Sequence, residues 1–218
     1  MTENDRRTDP DAGTIVVNGL GRVSVEPDLA DLRLGVSVAR PTVEAARAVA
    51  ATTMDAILAA VAAAGVERRD VRTALLSVQP RYEYRENQPP VLTGYDLANV
   101  VEVTVRDLAR LGAVVDGTLG AGATSLDQLT FRVAAPEVAE REARLRAMAA
   151  ARAKADVLAD AAGLAIVGVS DIVEGGGPSF PLPHLKAERM MLAADAATPV
   201  EAGSLEIAVN VTVSYRAR

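Results

Sequence analysis

The sequence contains no cysteine and only one histidine, His184. Without cysteine, the chain has no disulfides, no cysteine nucleophile and no thiolate ligands for zinc or iron–sulfur clusters. A single histidine also excludes the HExxH type of zinc site, which needs two. We therefore expect no bound metal and no cofactor, and several classes of enzyme are excluded before any motif is considered.

Aromatic residues and long apolar runs are also scarce. Aromatic residues make up 3% of the chain, so Val, Leu and Ile must fill the core. The longest apolar stretch, residues 43–66, is interrupted by Glu44, Arg47 and Asp55, whereas a membrane-spanning helix needs about 20 predominantly apolar residues. Residues 1–12 contain no apolar run of the signal-peptide type. We expect a disordered tail over 1–12, no transmembrane segment and a cytoplasmic protein.

Basic residues are outnumbered, because 23 Lys and Arg face 29 Asp and Glu and the net charge is −6. Affinity for nucleic acids and anionic lipids comes mostly from Lys and Arg side chains that neutralise phosphates. We therefore expect no nucleic-acid partner. At 218 residues, a chain can bury roughly 70% of its unfolded surface in one unit, so residues 13–218 are predicted to form a single domain.

Apolar residues alternate along some segments and recur at helical spacing along others. Strands are predicted near 15–25, 30–38, 71–84, 91–105, 126–133, 166–173 and 205–215. Helices are predicted from the N-cap Thr42 to Gly65, after Asp107, and from Pro136 to Gly163. The recurring strand–helix units suggest internal duplication and predict an α+β fold. Its helices would cover one face of two antiparallel-leaning sheets or of one large mixed sheet.

Two local interpretations depend on packing. The buried stripe of the long helix is predicted to be Val138, Leu145, Met148, Ala155, Leu158 and Ala162. Gly19-Leu20-Gly21 follows a strand, as a phosphate-binding loop would, but neither the third glycine nor a following helix is present. We interpret these glycines as a bend or bulge between short strands.

The segment 174–203 does not fit the alternation of strands and helices. It is rich in Gly and Pro, yet it also carries apolar residues such as Phe180, Leu185 and Met190. Connections of this length are usually functional or disordered, and a disordered linker holds fewer apolar groups. The favoured interpretation is an arm that packs on a neighbouring subunit; a flap over the chain's own sheet and simple disorder are the alternatives.

One combination of residues resembles a catalytic triad. Ser179 and His184, with Asp171 or Glu188, would supply a Ser–His–acid set. The sequence has no Gly-x-Ser-x-Gly elbow, and a Pro-rich loop does not hold three side chains in catalytic geometry. We do not interpret these residues as catalytic.

Two pairs of carboxylates were considered for acid–base chemistry. Glu26 and Asp28 flank a proline, and Asp156 and Asp160 lie one helical turn apart. Such pairs are usually solvated surface acids. We predict no catalytic, cofactor-binding or metal-binding residues, and therefore a protein that is not an enzyme.

Three of the few aromatic residues, Tyr82, Tyr84 and Tyr95, fall on two strands of a predicted hairpin. Cross-strand packing accounts for them. In a second interpretation, Tyr82 and Tyr84 form an exposed recognition edge with Arg81 and Arg85.

Five blocks of sequence occur in order along the chain: VNGLGRVSVEPD (17–28), AAGVERRDVRTALLSVQPRYEY (63–84), GYDLANVVEVTVRD (94–107), ARAKADVLADAAGL (151–164) and TPVEAGSLEIAVNVTVSY (198–215). Together they resemble the SIMPL-domain, or YggE-like, family over residues 14–216. The resemblance implies βαβ-type repeats, large ring-shaped or channel-like oligomers in some members, and association with the cell envelope and with tolerance of oxidative stress. Other members are described as adaptors in kinase signalling. The resemblance supplies no catalytic residue set.

These observations lead to three functional hypotheses. The leading one is a non-enzymatic SIMPL-domain protein that assembles with copies of itself and acts as a scaffold or binding module, in stress response. The second is a small-molecule-binding protein or enzyme with a cleft beneath the 174–203 flap, which a buried, perturbed acid in that cleft would favour. The third is a monomeric adaptor that binds a partner protein through a free sheet edge.

Overall fold

The computed structural model describes residues 13–175, the backbone of residues 182–184, and residues 198–218. In chain order, its elements are β1 (Gly13–Val25), β2 (Leu29–Arg40), α1 (Val43–Ala63), β3 (Val71–Glu83), β4 (Val91–Val105), α2 (Leu111–Gly120), β5 (Ser125–Arg132), α3 (Glu137–Ala162), β6 (Ile166–Glu174), β7 (Leu182–His184) and β8 (Ser204–Ala217). Every pairing between these strands is antiparallel. The α+β class is confirmed, and the chain builds two sheets rather than one mixed sheet.

The described residues divide into two compact units, each with one sheet. The first unit has β8 between β1 and β6, with β7 also paired to β8, and carries α3. The second has the strand order β3-β4-β2-β5 and carries α1 and α2. The prediction that residues 13–218 form a single domain stays a prediction.

In the second unit, α1 begins and packs as its sequence predicts. The Thr42 hydroxyl accepts a hydrogen bond from the Ala45 amide at 3.2 Å, which caps the helix. The buried residues recur at helical spacing: Ala46, Ala50, Met54, Ile57 and Val61. They pack on β2 and β4, where Leu32 and Leu34 are fully buried and belong to the same core.

α1 is also long and apolar enough to cross a membrane by length and composition alone. In the structure it is a core helix, because one of its faces is buried on the sheet. Core helices of this length meet the same criteria as membrane spans. The absence of a transmembrane segment therefore stays a prediction.

In the first unit, α3 packs on β1 through alanines and glycines. The buried stripe of α3 is Ala139, Ala143, Ala147, Ala151, Ala155 and Ala159. A Cβ atom built on Gly19 would lie 1.9 Å from the Ala147 carbonyl oxygen, and one built on Gly21 would lie 1.9 Å from the Ala143 carbonyl oxygen. The helix backbone therefore rests directly on the strand, which only glycine permits at these two positions.

This contact corrects two predictions. β1 runs unbroken from Gly13 to Val25, so the interpretation of Gly19 and Gly21 as a bend between short strands was wrong. The predicted stripe of α3 was also wrong apart from the buried Ala155 and the partly buried Met148, since Val138 is 76% exposed and Leu145 is 66% exposed. The reason is that close approach to a glycine-lined strand selects the small alanine side chains, not the large apolar ones.

α3 also covers part of the free edge of β1. Lys154 Nζ donates to the Asn18 carbonyl oxygen at 2.7 Å, and Arg146 Nη1 donates to the Arg22 carbonyl oxygen at 2.6 Å. β1 is an edge strand because β8 is the strand with which it pairs. Backbone groups on such an edge are a template for pairing with another chain, and these two side chains occupy two of them.

Only parts of the segment 174–203 are described. Glu174 ends β6, the Gly175 amide donates to the Asn210 carbonyl oxygen at 2.9 Å, and the backbone of 182–184 pairs with β8. Thr198 Oγ1 donates to Asp116 Oδ1 at 2.5 Å. The tail 1–12 and residues 176–181 and 185–197 lie outside the described residues, so the disordered-tail, arm and flap predictions stay predictions.

Candidate interaction surface

The hairpin of β3 and β4 extends beyond its neighbouring strand. β3 and β4 pair from Val71 opposite Val103 to Glu83 opposite Val91. β2 pairs with β4 only between Tyr95 and Val105. Residues 91–94 of β4 therefore have β3 as their paired neighbour, and β3 is the outermost strand of the sheet along its whole length.

An apolar surface on this hairpin is left uncovered; we call it the hairpin patch and define it as Leu76, Val78, Tyr82 and Leu92. Val78 lies opposite Leu97, which is buried on the α1 side, and Tyr82 lies opposite Leu92. Alternation along β3 puts Leu76, Val78 and Tyr82 on that same side. Leu76 is 66% exposed and Tyr82 is 45% exposed. The patch continues the core face of the sheet but remains exposed to solvent.

The patch is exposed because the covering helix does not reach it. α1 packs on β2 and β4 and buries their apolar side chains. The apolar side chains of the patch on the same face of β3 lie beyond the helix and stay exposed. On β4, Leu97, Val101, Val103 and Val105 are buried. The register between β3 and β4 shifts after Arg81, so Leu92 lies opposite Tyr82, and Val91, which lies opposite Glu83, is 51% exposed.

The two interpretations of the tyrosines both describe part of this surface. Tyr82 has a cross-strand neighbour, Leu92, yet it is exposed, and Tyr84 is 77% exposed. The neighbouring arginines are paired within the hairpin. Arg81 Nη2 lies 2.8 Å from Asp96 Oδ1, and Arg85 Nε lies 3.0 Å from Glu83 Oε1.

The opposite face of the same sheet is polar and carries ion pairs across its strands. Arg132 Nε donates to Asp31 Oδ2 at 2.5 Å, and Thr104 Oγ1 donates to Asp31 Oδ1 at 2.6 Å. Burial raises the pKa of the Asp31 carboxyl, but the hydrogen bonds from Arg132 and Thr104 outweigh it, so the pKa lies below its usual value. On the next strands, Arg72 Nη2 donates to Glu102 Oε1 at 2.5 Å.

A third ion pair lies at the start of β3. Arg106 donates two hydrogen bonds to Asp70, from Nε at 2.8 Å and from Nη2 at 2.6 Å. The Asp70 side chain is 8% exposed, and the hydrogen bond from Arg106 holds the pKa of its carboxyl below the usual value. This acid is therefore ionised and paired near neutral pH, which is the opposite of what a general acid needs.

The Asp70–Arg106 pair predicts how stability depends on pH. Because the folded pKa of Asp70 lies below the ordinary 3.8, the stabilisation is fully present above that value and is lost as pH falls through the folded pKa. We expect the free energy of unfolding to decrease below about pH 4, and Asp70→Asn to make this decrease shallower while lowering stability near neutral pH. Urea unfolding across this pH range measures it.

The matched control for that experiment is Asp171→Asn, since Asp171 is an exposed acid on β6. Its profile should follow that of the unmodified protein. An Asp70→Asn profile with the unmodified slope below about pH 4 would show that Asp70 contributes nothing to acid unfolding.

One carboxylate of each pair, Glu26 with Asp28 and Asp156 with Asp160, makes a structural contact. Asp28 Oδ1 accepts a hydrogen bond from the Ala134 amide at 2.7 Å, and Asp156 Oδ1 accepts one from Arg152 Nε at 2.8 Å. Within residues 13–175 and 198–218, no group of three His, Asp or Glu side chains could hold a metal ion. Ser179, Glu188 and the His184 side chain lie outside the described residues, so the expectation that they form no catalytic triad stays a prediction.

The amino-acid sequence of this chain is similar to those of several named proteins. The chain is 35% identical over 220 residues to the 26 kDa periplasmic immunogenic protein of Brucella melitensis, covering 98% of this chain and 87% of that protein. It is 31% identical over 151 residues to uncharacterized protein YggE of Escherichia coli K12, covering 69% of this chain and 61% of that one. It is also 28% identical to YggE of Edwardsiella ictaluri, over 72% of this chain and 66% of that protein.

These relatives correct one prediction and confirm another. The expectation of a cytoplasmic protein is contradicted, because relatives that match almost the whole chain are named as periplasmic. The absence of an apolar run in residues 1–12 was an insufficient basis for that expectation. The family resemblance is confirmed: the SIMPL family model, described as a protein of unknown function (DUF541), matches residues 15–215, and the chain belongs to the SIMPL family.

Proposed function

We propose that this protein is a non-enzymatic binding module of the periplasm that associates with copies of itself, and that the hairpin patch is the contact between copies. The observation that carries the proposal is the exposure of Leu76, Val78, Tyr82 and Leu92 on one face of the β3–β4 hairpin, at the edge of the sheet. Large apolar groups that are exposed side by side, and not singly, mark interaction sites on soluble proteins. The periplasmic location is taken from the named relatives; a role in stress response or scaffolding rests on the family resemblance alone.

A second copy suits this surface better than an unrelated partner for two reasons. β3 is the free edge of its sheet, and an edge strand can pair with the same strand of a second copy about a two-fold axis. The two patches then lie side by side on one face of the joined sheet, where their apolar side chains contact each other. The charges beside the patch are already neutralised in the pairs Arg81–Asp96 and Arg85–Glu83. Two identical surfaces can therefore meet without bringing unpaired like charges together.

Light scattering coupled to size exclusion, at two protein concentrations, tests the proposal. We expect a discrete mass above the 22.7 kDa of one chain. The double variant Leu76→Gln/Tyr82→Gln should shift the mass toward a single chain, because glutamine removes the apolar area that association would bury. Circular dichroism checks that the variant remains folded.

The matched control replaces two apolar residues of α3 that are at least as exposed, as Val138→Gln/Leu145→Gln. This variant should keep the mass of the unmodified protein. A single-chain mass for the unmodified protein at both concentrations would refute self-association. An equal loss of mass in both double variants would refute the hairpin patch as the contact.

A further inference from the structure

The polar face of the second sheet carries a buried nitrogen that has no partner. Leu32 and Leu34 are fully buried in the core on the α1 side, so strand alternation turns Arg33 to the opposite face. Among the side chains of residues 13–175 and 198–218, Arg33 Nε is the one buried nitrogen or oxygen atom without a hydrogen bond. Such an atom is costly to bury, most of all on a charged group, so compensating interactions of this guanidinium must come through its two terminal nitrogens.

The carboxylates near Arg33 do not supply that partner. Glu102 lies directly opposite Arg33 on β4, but Arg72 Nε and Nη2 both donate to it, at 3.1 and 2.5 Å. Asp31 lies two residues away on the same face of β2, but Arg132 holds both of its oxygens. Both acids are engaged by another arginine, and Arg33 is left as an unmatched cation among the described residues.

The two terminal nitrogens of the Arg33 guanidinium are suited to one kind of ligand. Its two terminal nitrogens are not among the buried unpaired atoms, and they make no hydrogen bond within the described part of the chain. They are therefore open to solvent while Nε lies behind them. Two parallel N–H groups on a guanidinium edge match the two oxygens of a carboxylate.

We propose that Arg33 binds a carboxylate group of an external ligand on this face of the sheet. A singly charged carboxylate suits the position better than a doubly charged phosphate, because Arg72 and Arg132 neutralise Glu102 and Asp31 and leave Arg33 as one unmatched positive charge. Gln128, opposite Arg33 on β5, places a neutral amide on the other flank. The site lies on the face opposite the hairpin patch and does not depend on self-association.

Nuclear magnetic resonance of the full chain tests this with acetate as the probe. Sodium acetate replaces sodium chloride at constant ionic strength, and the signals followed are the Nε–H group of Arg33 and the backbone amides of Glu102 and Gln128. We expect saturable shifts of all three. In Arg33→Gln, the amide shifts should lose saturation, with affinity at least about tenfold weaker, as expected for loss of a charged hydrogen bond.

The control variant is Arg81→Gln. Arg81 lies on the same face of the sheet as Arg33, but it is already paired with Asp96. It should keep the saturable shifts.

Acetyl-diglycine then separates the sources of the carboxylate. Tighter binding of acetyl-diglycine than of acetate indicates a peptide C-terminus, and equal binding indicates a small organic acid; acetyl-diglycine amide, which has no carboxylate, should not bind. Shifts that stay linear in acetate, or inorganic phosphate that binds as tightly as acetate, would overturn the proposal.

Discussion

Gly21→Ala is expected to destabilise this protein by about 3 kcal/mol or more, lowering its melting temperature by roughly 6–12 °C. A Cβ atom at this position would lie 1.9 Å from the Ala143 carbonyl oxygen and 2.6 Å from the Ala147 amide nitrogen. Both are backbone atoms of α3, so no side-chain rotation can relieve the overlap. The helix would have to move off the strand, and the alanine stripe of α3 would lose its packing. Calorimetry of the purified variant measures the change.

Gly13→Ala is the matched control, because it adds the same methyl group to the same strand. Its Cβ would meet Leu164 Cδ1 at 3.5 Å, an ordinary contact. We expect its stability to stay within about 0.5 kcal/mol of the unmodified protein. Equal melting temperatures for Gly21→Ala and Gly13→Ala would show that α3 does not rest on β1 as described.

Leu32→Ala is expected to cost about 3–4 kcal/mol, since removal of a fully buried leucine side chain loses its transfer free energy and leaves a cavity. Leu32 is 0% exposed and lies between Val103 on β4 and Leu129 on β5. Leu126→Ala makes the same chemical change at a position that is 42% exposed on the same sheet. We expect the control to lose less than about half as much, as surface substitutions do; equal losses would contradict the assigned core.

Gly21 and Leu32 lie in different compact units, so their variants also test the prediction of a single domain. If residues 13–218 unfold as one cooperative domain, either substitution will shift one common transition. If the two units unfold separately, each variant will shift its own transition and leave the other in place. Urea unfolding followed by both circular dichroism and amide exchange distinguishes these results.

Local features were predictable because the groups that produce them are neighbours in the chain. Thr42 caps α1 by contacting the amide three residues later, and Gly163 ends α3 with a φ of 69°. The alternation in β2 and β8 likewise indicates a strand with one buried face, whatever covers it. These rules reach only a few residues along the chain, and at that range the sequence was sufficient.

The surfaces that matter for binding were not predictable in this way. Val78 and Leu97 have the same strand pattern and face the same side, but only Leu97 is buried, because α1 packs on β4. Arg33 is an ordinary alternating residue in the sequence, and its lack of a partner depends on Arg72 and Arg132, which are distant in the chain.

The helices, the strands other than β7, the buried faces of α1, β2 and β8, and the family were contained in the amino-acid sequence. Which apolar face receives a helix, why Gly19 and Gly21 lie beneath α3, and which charge is left unmatched were decided by tertiary structure. The physical reason is that propensity and capping act between neighbours, whereas burial and ion pairing depend on elements brought together from distant parts of the chain.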